Sequence, residues 1–173
     1  MAIVIQKTTR ADTRGDKPRV TRKELEEDTK LHIGHVIQGM EYVAGKMVEQ
    51  AQNHDHTKLE YLDAFLRDFN SQSDETPFKS MWWWRKHLEE RHHLRDRCPE
   101  DATIVDLAEY LVDYSMAAMA REGKVNFEKY PVNLPPETIE KILQNTISMI
   151  IYDTKVESPS EEEPIKEEKG VEE

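Results

Sequence analysis

The chain has 173 residues, 37% hydrophobic and 34% charged, with a formal net charge of −11. That length suits one domain with a sizeable core rather than two. The net charge argues against general nucleic-acid or anionic-membrane binding, because phosphate-rich surfaces repel such a protein.

Part of the charge is local. Residues 157–173 carry eight Glu and two Lys, which leaves the body at about −5. Cys98 is the single cysteine, so no intramolecular disulfide forms and a reducing, cytoplasmic setting is expected. Met1–Lys7 has no long apolar region or small-residue cleavage site, so no signal peptide is read. No apolar run approaches the roughly 20 residues of a membrane span.

Residues 1–20 begin apolar and turn polar. A short strand near Ile3–Ile5 fits them, but a flexible arm fits better. Thr21-Arg22-Lys23-Glu24 has the form of a capping box, and the following apolar spacing predicts a helix to about Gln52. Gly34, Gly39 and Gly45 weaken that helix by up to ~1 kcal/mol each, or permit close packing or a break. Asn53 can cap a second helix, in which Leu59, Leu62, Phe65, Leu66 and Phe69 form an apolar stripe.

Residues 70–77 read as a loop, and a third helix is predicted over about 78–95. A fourth opens at Asp101 or Thr103 and closes at Gly123, and a fifth runs from Glu137 to about Asp153. Beyond Val156 the sequence lacks the apolar surface to offset ordering entropy, so a disordered acidic tail over 154–173 is expected. The expected fold class is all-α: a bundle of about five helices over 21–153.

The polar chemistry concentrates in Asn53-His54-Asp55-His56-Thr57-Lys58. Imidazole beside carboxylate suits a divalent metal, and a nearby lysine suits an anionic substrate. All seven histidines (His32, His35, His54, His56, His87, His92 and His93) lie in the middle of the chain. A lone histidine is ordinarily a surface or satisfied core residue, and the clustering weakens that reading. On the fourth helix, Asp106, Glu109 and Asp113 share one face beside the apolar stripe.

The order His32, His54-Asp55, Asp113 resembles the H…HD…D pattern of the HD-domain superfamily of metal-dependent phosphohydrolases. His35 is the runner-up for the first position. The closer resemblance is to small HD-like proteins of phages and bacteria. It rests on His32-Ile33-Gly34-His35-Val36, His54 to Leu59, His87 with His92-His93, and Asp106 to Tyr114. Thr57 stands where that superfamily usually has glycine.

The resemblance implies one or two divalent transition metals (Mn, Fe, Co, Ni or Zn) held by His32, His54, Asp55, His87, His92, His93 and Asp113. It implies hydrolysis of a nucleotide or other small phosphate ester by metal-activated water. Lys58 would contact phosphate, assisted by Thr57, Arg85 and Arg91. Asp55, Lys58 and Glu109 would be the catalytic group, while His56 is left outside the ligand set. Two alternatives stay open: an HD-fold di-iron oxygenase with a similar ligand set, and a non-catalytic helical binding protein.

His87 to His92 or His93 is five or six residues, which is not one face of a regular helix. Either the helix breaks near Arg91 or only one of the pair faces the site. Trp82-Trp83-Trp84 point about 100° apart on a helix, so at most two bury on one face. An exposed one would mark a homodimer surface.

Overall fold

The computed structural model describes residues 2–7, 20–128 and 132–158. The chain is mostly helical. Strand β1 (Ile3–Gln6) precedes α1 (Arg22–Ala51), α2 (His56–Glu60) and α3 (Leu62–Asn70). A 3-10 turn (Phe78–Ser80), α4 (Trp82–His87), α5 (Ile104–Glu122), α6 (Pro136–Tyr152) and strand β2 (Thr154–Glu157) follow.

The all-α expectation is corrected by the two strands, which pair in parallel from Ile3↔Thr154 to Gln6↔Glu157. Ile3, expected in a flexible arm, is buried, and Thr154–Glu157, assigned to the tail, is strand. Residues 8–19 of the expected arm and 159–173 of the expected tail lie outside the described residues. Each strand supplies the other's missing ladder, a pairing invisible from either segment alone. The other edge of β1 is capped by α1: Val4 N donates to Gln38 Oε1 and Gln6 N to His35 Nε2, both at 3.1 Å.

The capping box at α1 is as predicted, with Thr21 N donating to Glu24 Oε2 at 2.8 Å and Glu24 N to Thr21 Oγ1 at 3.2 Å. α1 then runs unbroken for 30 residues, so its three glycines do not interrupt it. Thr103 and Asp106 form a second capping box at α5, and Gly123 closes that helix at φ 66°. In that left-handed conformation a side chain would be strained.

The predicted second helix is divided at Tyr61 (φ −112°, ψ 36°) into α2 and α3. Of its stripe, Phe65 packs on Trp83 with centroids 4.0 Å apart, while Leu59, Leu62, Leu66 and Phe69 are exposed.

The predicted third helix is much shorter than 78–95. α4 ends at His87, and turns carry the chain to Asp101. Asp68 starts α4, accepting from Trp83 N at 2.9 Å. Of the three tryptophans, Trp83 is buried, Trp84 half-buried and Trp82 exposed. Leu94, Ala102 and Ile142 form the core, with Leu107, Tyr110 and Leu134 packed around it.

Candidate metal centre

The turn between α1 and α2 sets the geometry. Asp55 has φ 56° and ψ 22°, and among the described residues it is the only non-glycine at positive φ. An aspartate tolerates that region better than most residues, but at a cost of order 1 kcal/mol or more. The conformation turns its carboxylate away from solvent, to lie between α5 and the α4 end.

Asp55 joins two sets of ligating atoms. Its Oδ2 lies 3.4 Å from His54 Nε2, which in turn is 3.5 Å from Asp113 Oδ1. Its Oδ1 lies 3.5 Å from His87 Nε2 and 3.8 Å from His92 Nε2. His93 Nε2 is 3.0 Å from His87 Nε2. Three groups of atoms close enough to share a cation result: His87, His92 and His93; His54, His92 and Asp113; and Asp55, Glu90 and His92. The end of α4 at His87 makes this possible. Its backbone turns immediately, so residues five and six positions on face the same point.

The opposite nitrogens are held from behind. His54 Nδ1 lies 2.8 Å from Glu109 Oε1. His87 Nδ1 lies 3.0 Å from Thr57 Oγ1, whose hydroxyl donates to Glu90 Oε1. With its proton committed to Glu90, the Thr57 oxygen accepts from His87 Nδ1–H, leaving the His87 Nε2 lone pair facing inward. Trp83 stacks on His87 with centroids 4.9 Å apart and planes 12° apart. His92 Nδ1 is the exception: it lies 3.4 Å from Glu109 Oε1 and is buried without a hydrogen-bond partner.

The surroundings favour ionised carboxylates, and against its burial the neighbouring Glu109, Asp113 and Asp55 raise the His92 pKa. Burial alone would raise Asp55, but the hydrogen bond and charge of Lys58 hold its carboxyl below the usual range. Burial would likewise raise Glu109, but contacts from His92, Gln50 and His54 bring it down to about 2. Burial, and then the neighbouring His92 and His87, push His93 down to about 4, so its imidazole is neutral at neutral pH.

The donor set fits a transition metal. Asp55 Oδ1 is buried with no hydrogen-bond partner, and the Nε2 nitrogens of His87 and His92 lie 3.5 and 3.8 Å from it. A cation would satisfy both, and nitrogen with carboxylate oxygen is a ligand mixture that such metals accept.

His54, Asp55, His87, His92, His93 and Asp113 thus come together, and Lys58 pairs with Asp55 at the edge. Thr57 is buried behind His87, in a supporting position. His32 is not brought in. It sits on an exposed turn of the continuous helix α1, about 28 Å along the axis from Ala51. His35 faces β1 instead.

Arg85 is exposed on α4, and Arg91 is engaged elsewhere. Arg91 Nε donates to Asp106 Oδ1 at 2.6 Å and Nη1 to Asp101 Oδ1 at 3.1 Å. Its role in this structure is to tie the post-α4 turns to α5. His56 is exposed, with Nδ1 3.2 Å from Asn53 O. Glu90, which no spacing singled out, is a buried residue of the site. It follows α4 in a turn where helical periodicity gives no guide.

A cleft of about 870 Å³ lies behind this centre. It runs between α1 and α6, with Gln50, Arg91, Asp106 and Glu109 in its wall. Its lining includes Glu109 and Glu90 but none of the six ligand candidates. Compared with protein-family models, curated proteins and solved structures, the chain matches none.

Proposed function

We propose that this chain is an HD-type metal-dependent phosphohydrolase acting on a nucleotide or another small phosphate ester. The observation that carries the reading is Asp55. Held at a strained backbone angle, it offers one oxygen to His54 and the other to His87 and His92. A carboxylate so disposed, with one oxygen paired to Lys58 and the other facing two imidazoles, would serve as a metal ligand.

A bound transition metal would supply Lewis acidity and lower the pKa of its water towards neutrality. The rest is work for the chain. His54, His87, His92 and His93 present imidazole nitrogens, and Asp113 completes the side nearest solvent. Glu109 and the Thr57–Glu90 pair fix ring orientation, a function worth roughly 10- to 100-fold in metal affinity in such sites. Lys58, at the edge of the cluster beside Asp55, would neutralise phosphate oxygens. Its ammonium pairs with Asp55 of the cluster, which favours phosphoryl chemistry over oxygen chemistry.

The test is metal analysis of purified protein, followed by assays on mononucleotides, cyclic dinucleotides, nucleoside triphosphates and simple phosphomonoesters with manganese or cobalt. Hydrolysis in the wild type that Asp55→Ala abolishes is the expected result. The reading fails if the protein takes up no metal and no ester is cleaved in an Asp55-dependent way. Tight iron with oxygen-dependent turnover would replace it by the oxygenase alternative.

A further inference from the structure

Among the described residues, the cleft between α1 and α6 is lined by seven carboxylates against one lysine and one arginine. Arg91 is taken by Asp101 and Asp106, Lys46 pairs with Glu49 at 3.2 Å, and Glu89 pairs with Lys86 at 2.7 Å. Glu90, Glu109 and Asp153 remain. Among the described residues their partners are imidazoles, amides and hydroxyls, with no lysine or arginine.

Glu90 is 6% exposed and uses one of its two oxygens. Oε1 accepts from the Thr57 amide and hydroxyl. Oε2 accepts no hydrogen bond from a described residue: His56 Nδ1 stands 3.7 Å away and His92 Nδ1 3.8 Å away. His92 turns its Nε2 towards Asp55, so its Nδ1 and Glu90 Oε2 lie on the other side of the ring, where Glu90 and His56 belong to the cleft wall. His92 Nδ1 is itself buried without a partner. A buried carboxylate oxygen left open is costly until a donor reaches it.

The open carboxylates stand at two ends. Asp153 Oδ2 accepts from Tyr42 Oη at 2.5 Å, and Glu109 Oε2 accepts from Gln50 Nε2 at 2.6 Å. Tyr42 and Gln50 are eight residues apart on α1, about 12 Å along its axis. The facing wall gives the same span. Asn145 Nδ2 donates to Ala102 O at 3.0 Å, beside Asp101, and Asp153 follows Asn145 by eight residues along α6. A metal ion gathers its oxygens around one point, which ends about 12 Å apart do not offer. Tyr42, Val105 and Met149 add apolar surface to the lining, suited to a methylene chain.

We infer that this cleft is a binding site for a linear polyamine, with one terminal ammonium at Asp153 and the other at Glu90 and Glu109. The volume of about 870 Å³ is that of a small-molecule site. Ammonium to buried carboxylate is a charge-assisted hydrogen bond, roughly twice as strong as a neutral one. Extended spermidine spans about 11 Å between its terminal nitrogens at ordinary C–C and C–N bond lengths. Its inner nitrogen falls near the level of Lys46, one turn from Tyr42 and one from Gln50, where Glu49 offsets the lysine charge. The site stands apart from the metal reading: it uses the side of His92 that Asp55 does not face.

The test is calorimetric titration of the chelator-treated full chain at neutral pH. Spermidine and terminal diaminooctane share the span and should each bind one per chain, within a few-fold of one another. Putrescine, about half as long, should bind at least tenfold more weakly. Equal affinity for putrescine and spermidine overturns the site, as does the absence of binding. Magnesium that displaces spermidine at equal concentration also overturns it, because the attraction would then be charge alone.

Two variants locate it. Asp153→Asn keeps an acceptor for Tyr42 while removing one end, and should weaken spermidine at least tenfold. Ser148→Lys puts an ammonium into the cleft from an exposed position of α6, and should abolish the one-per-chain binding with helicity unchanged by circular dichroism. The glutamate-rich residues 157–173 are the same in every protein compared, so amine held there would be indifferent to both changes. Spermidine affinity unchanged in the two variants overturns the cleft as the site.

Discussion

The Thr57 amide donates to Glu90 Oε1 at 2.9 Å, joining the turn that carries Asp55 to the turn that carries His92 and His93. Both residues are buried, and Glu90 also accepts from the Thr57 hydroxyl. Two ligand-bearing segments, separated in sequence by the whole of α3 and α4, are thereby held in register. Glu90→Ala strands a buried amide and frees both turns. It should cost about 2–3 kcal/mol in denaturant unfolding and weaken cobalt binding by roughly 10- to 100-fold by titration. Glu90→Gln keeps an acceptor oxygen and should cost less on both counts.

Lys58 occupies the side of Asp55 that a cation would use. Lys58→Met removes that competitor, so metal affinity should rise several-fold in a calorimetric titration. Turnover of a phosphate ester should fall at least tenfold at saturating metal, because the anion loses its ammonium partner. A variant that loses affinity and turnover together would show that Lys58 supports the fold of the turn instead.

Asp55 trades stability for placement. Glycine adopts φ 56° without strain, so Asp55→Gly should leave thermal stability unchanged or raise it by about 1 kcal/mol in the metal-free protein. The same variant should show no metal-induced rise in melting temperature, whereas the wild type should gain one.

Asp106 is 1% exposed and holds three segments at once. It accepts from Arg91 and Gln50 and, at 2.7 Å, from Thr103 N. Burial opposes its ionisation, but the Arg91, Thr103 and Gln50 hydrogen bonds prevail and its pKa is lowered. The folded-state value is therefore below the unfolded one. The associated stability is present above the unfolded carboxylate range, near pH 4, and drains as pH falls towards the folded value. Asp106→Asn should lose about 3 kcal/mol at neutral pH by leaving the Arg91 charge poorly paired. Its unfolding curve should also be flatter than the wild type's below pH 4.

The helices were largely legible because capping boxes and Gly123 announce their ends locally. His54, Asp55, His87 and Asp113 were legible as chemistry because polar ligands stood beside apolar stripes. What escaped depends on contacts between distant segments. β1 becomes a strand only by meeting β2, more than 140 residues later. Glu90 lies in turns with no period to read. His92 and His93 looked incompatible with His87 until α4 ended at His87 itself. His32 matched a pattern of order along the chain, but an unbroken α1 converts order into distance. Arg91 looked like a phosphate ligand by charge alone, and Asp106, which captures it, was visible only as part of a carboxylate face.

The β1–β2 ladder has a consequence for how the molecule is made. A chain emerging from its N-terminus exposes Ile3–Gln6 early, yet the partner strand Thr154–Glu157 appears only after α6. Until α6 is made, β1 is an edge without its partner strand, covered only on the side that α1 caps through Gln38 and His35. Closure of the ladder is thus a late step that joins β1 to the strand after α6, and it acts as a latch on a domain whose helices are already in place. Deleting residues 2–6 should leave those helices to form while removing the latch, so proteolysis should begin at the α6 end.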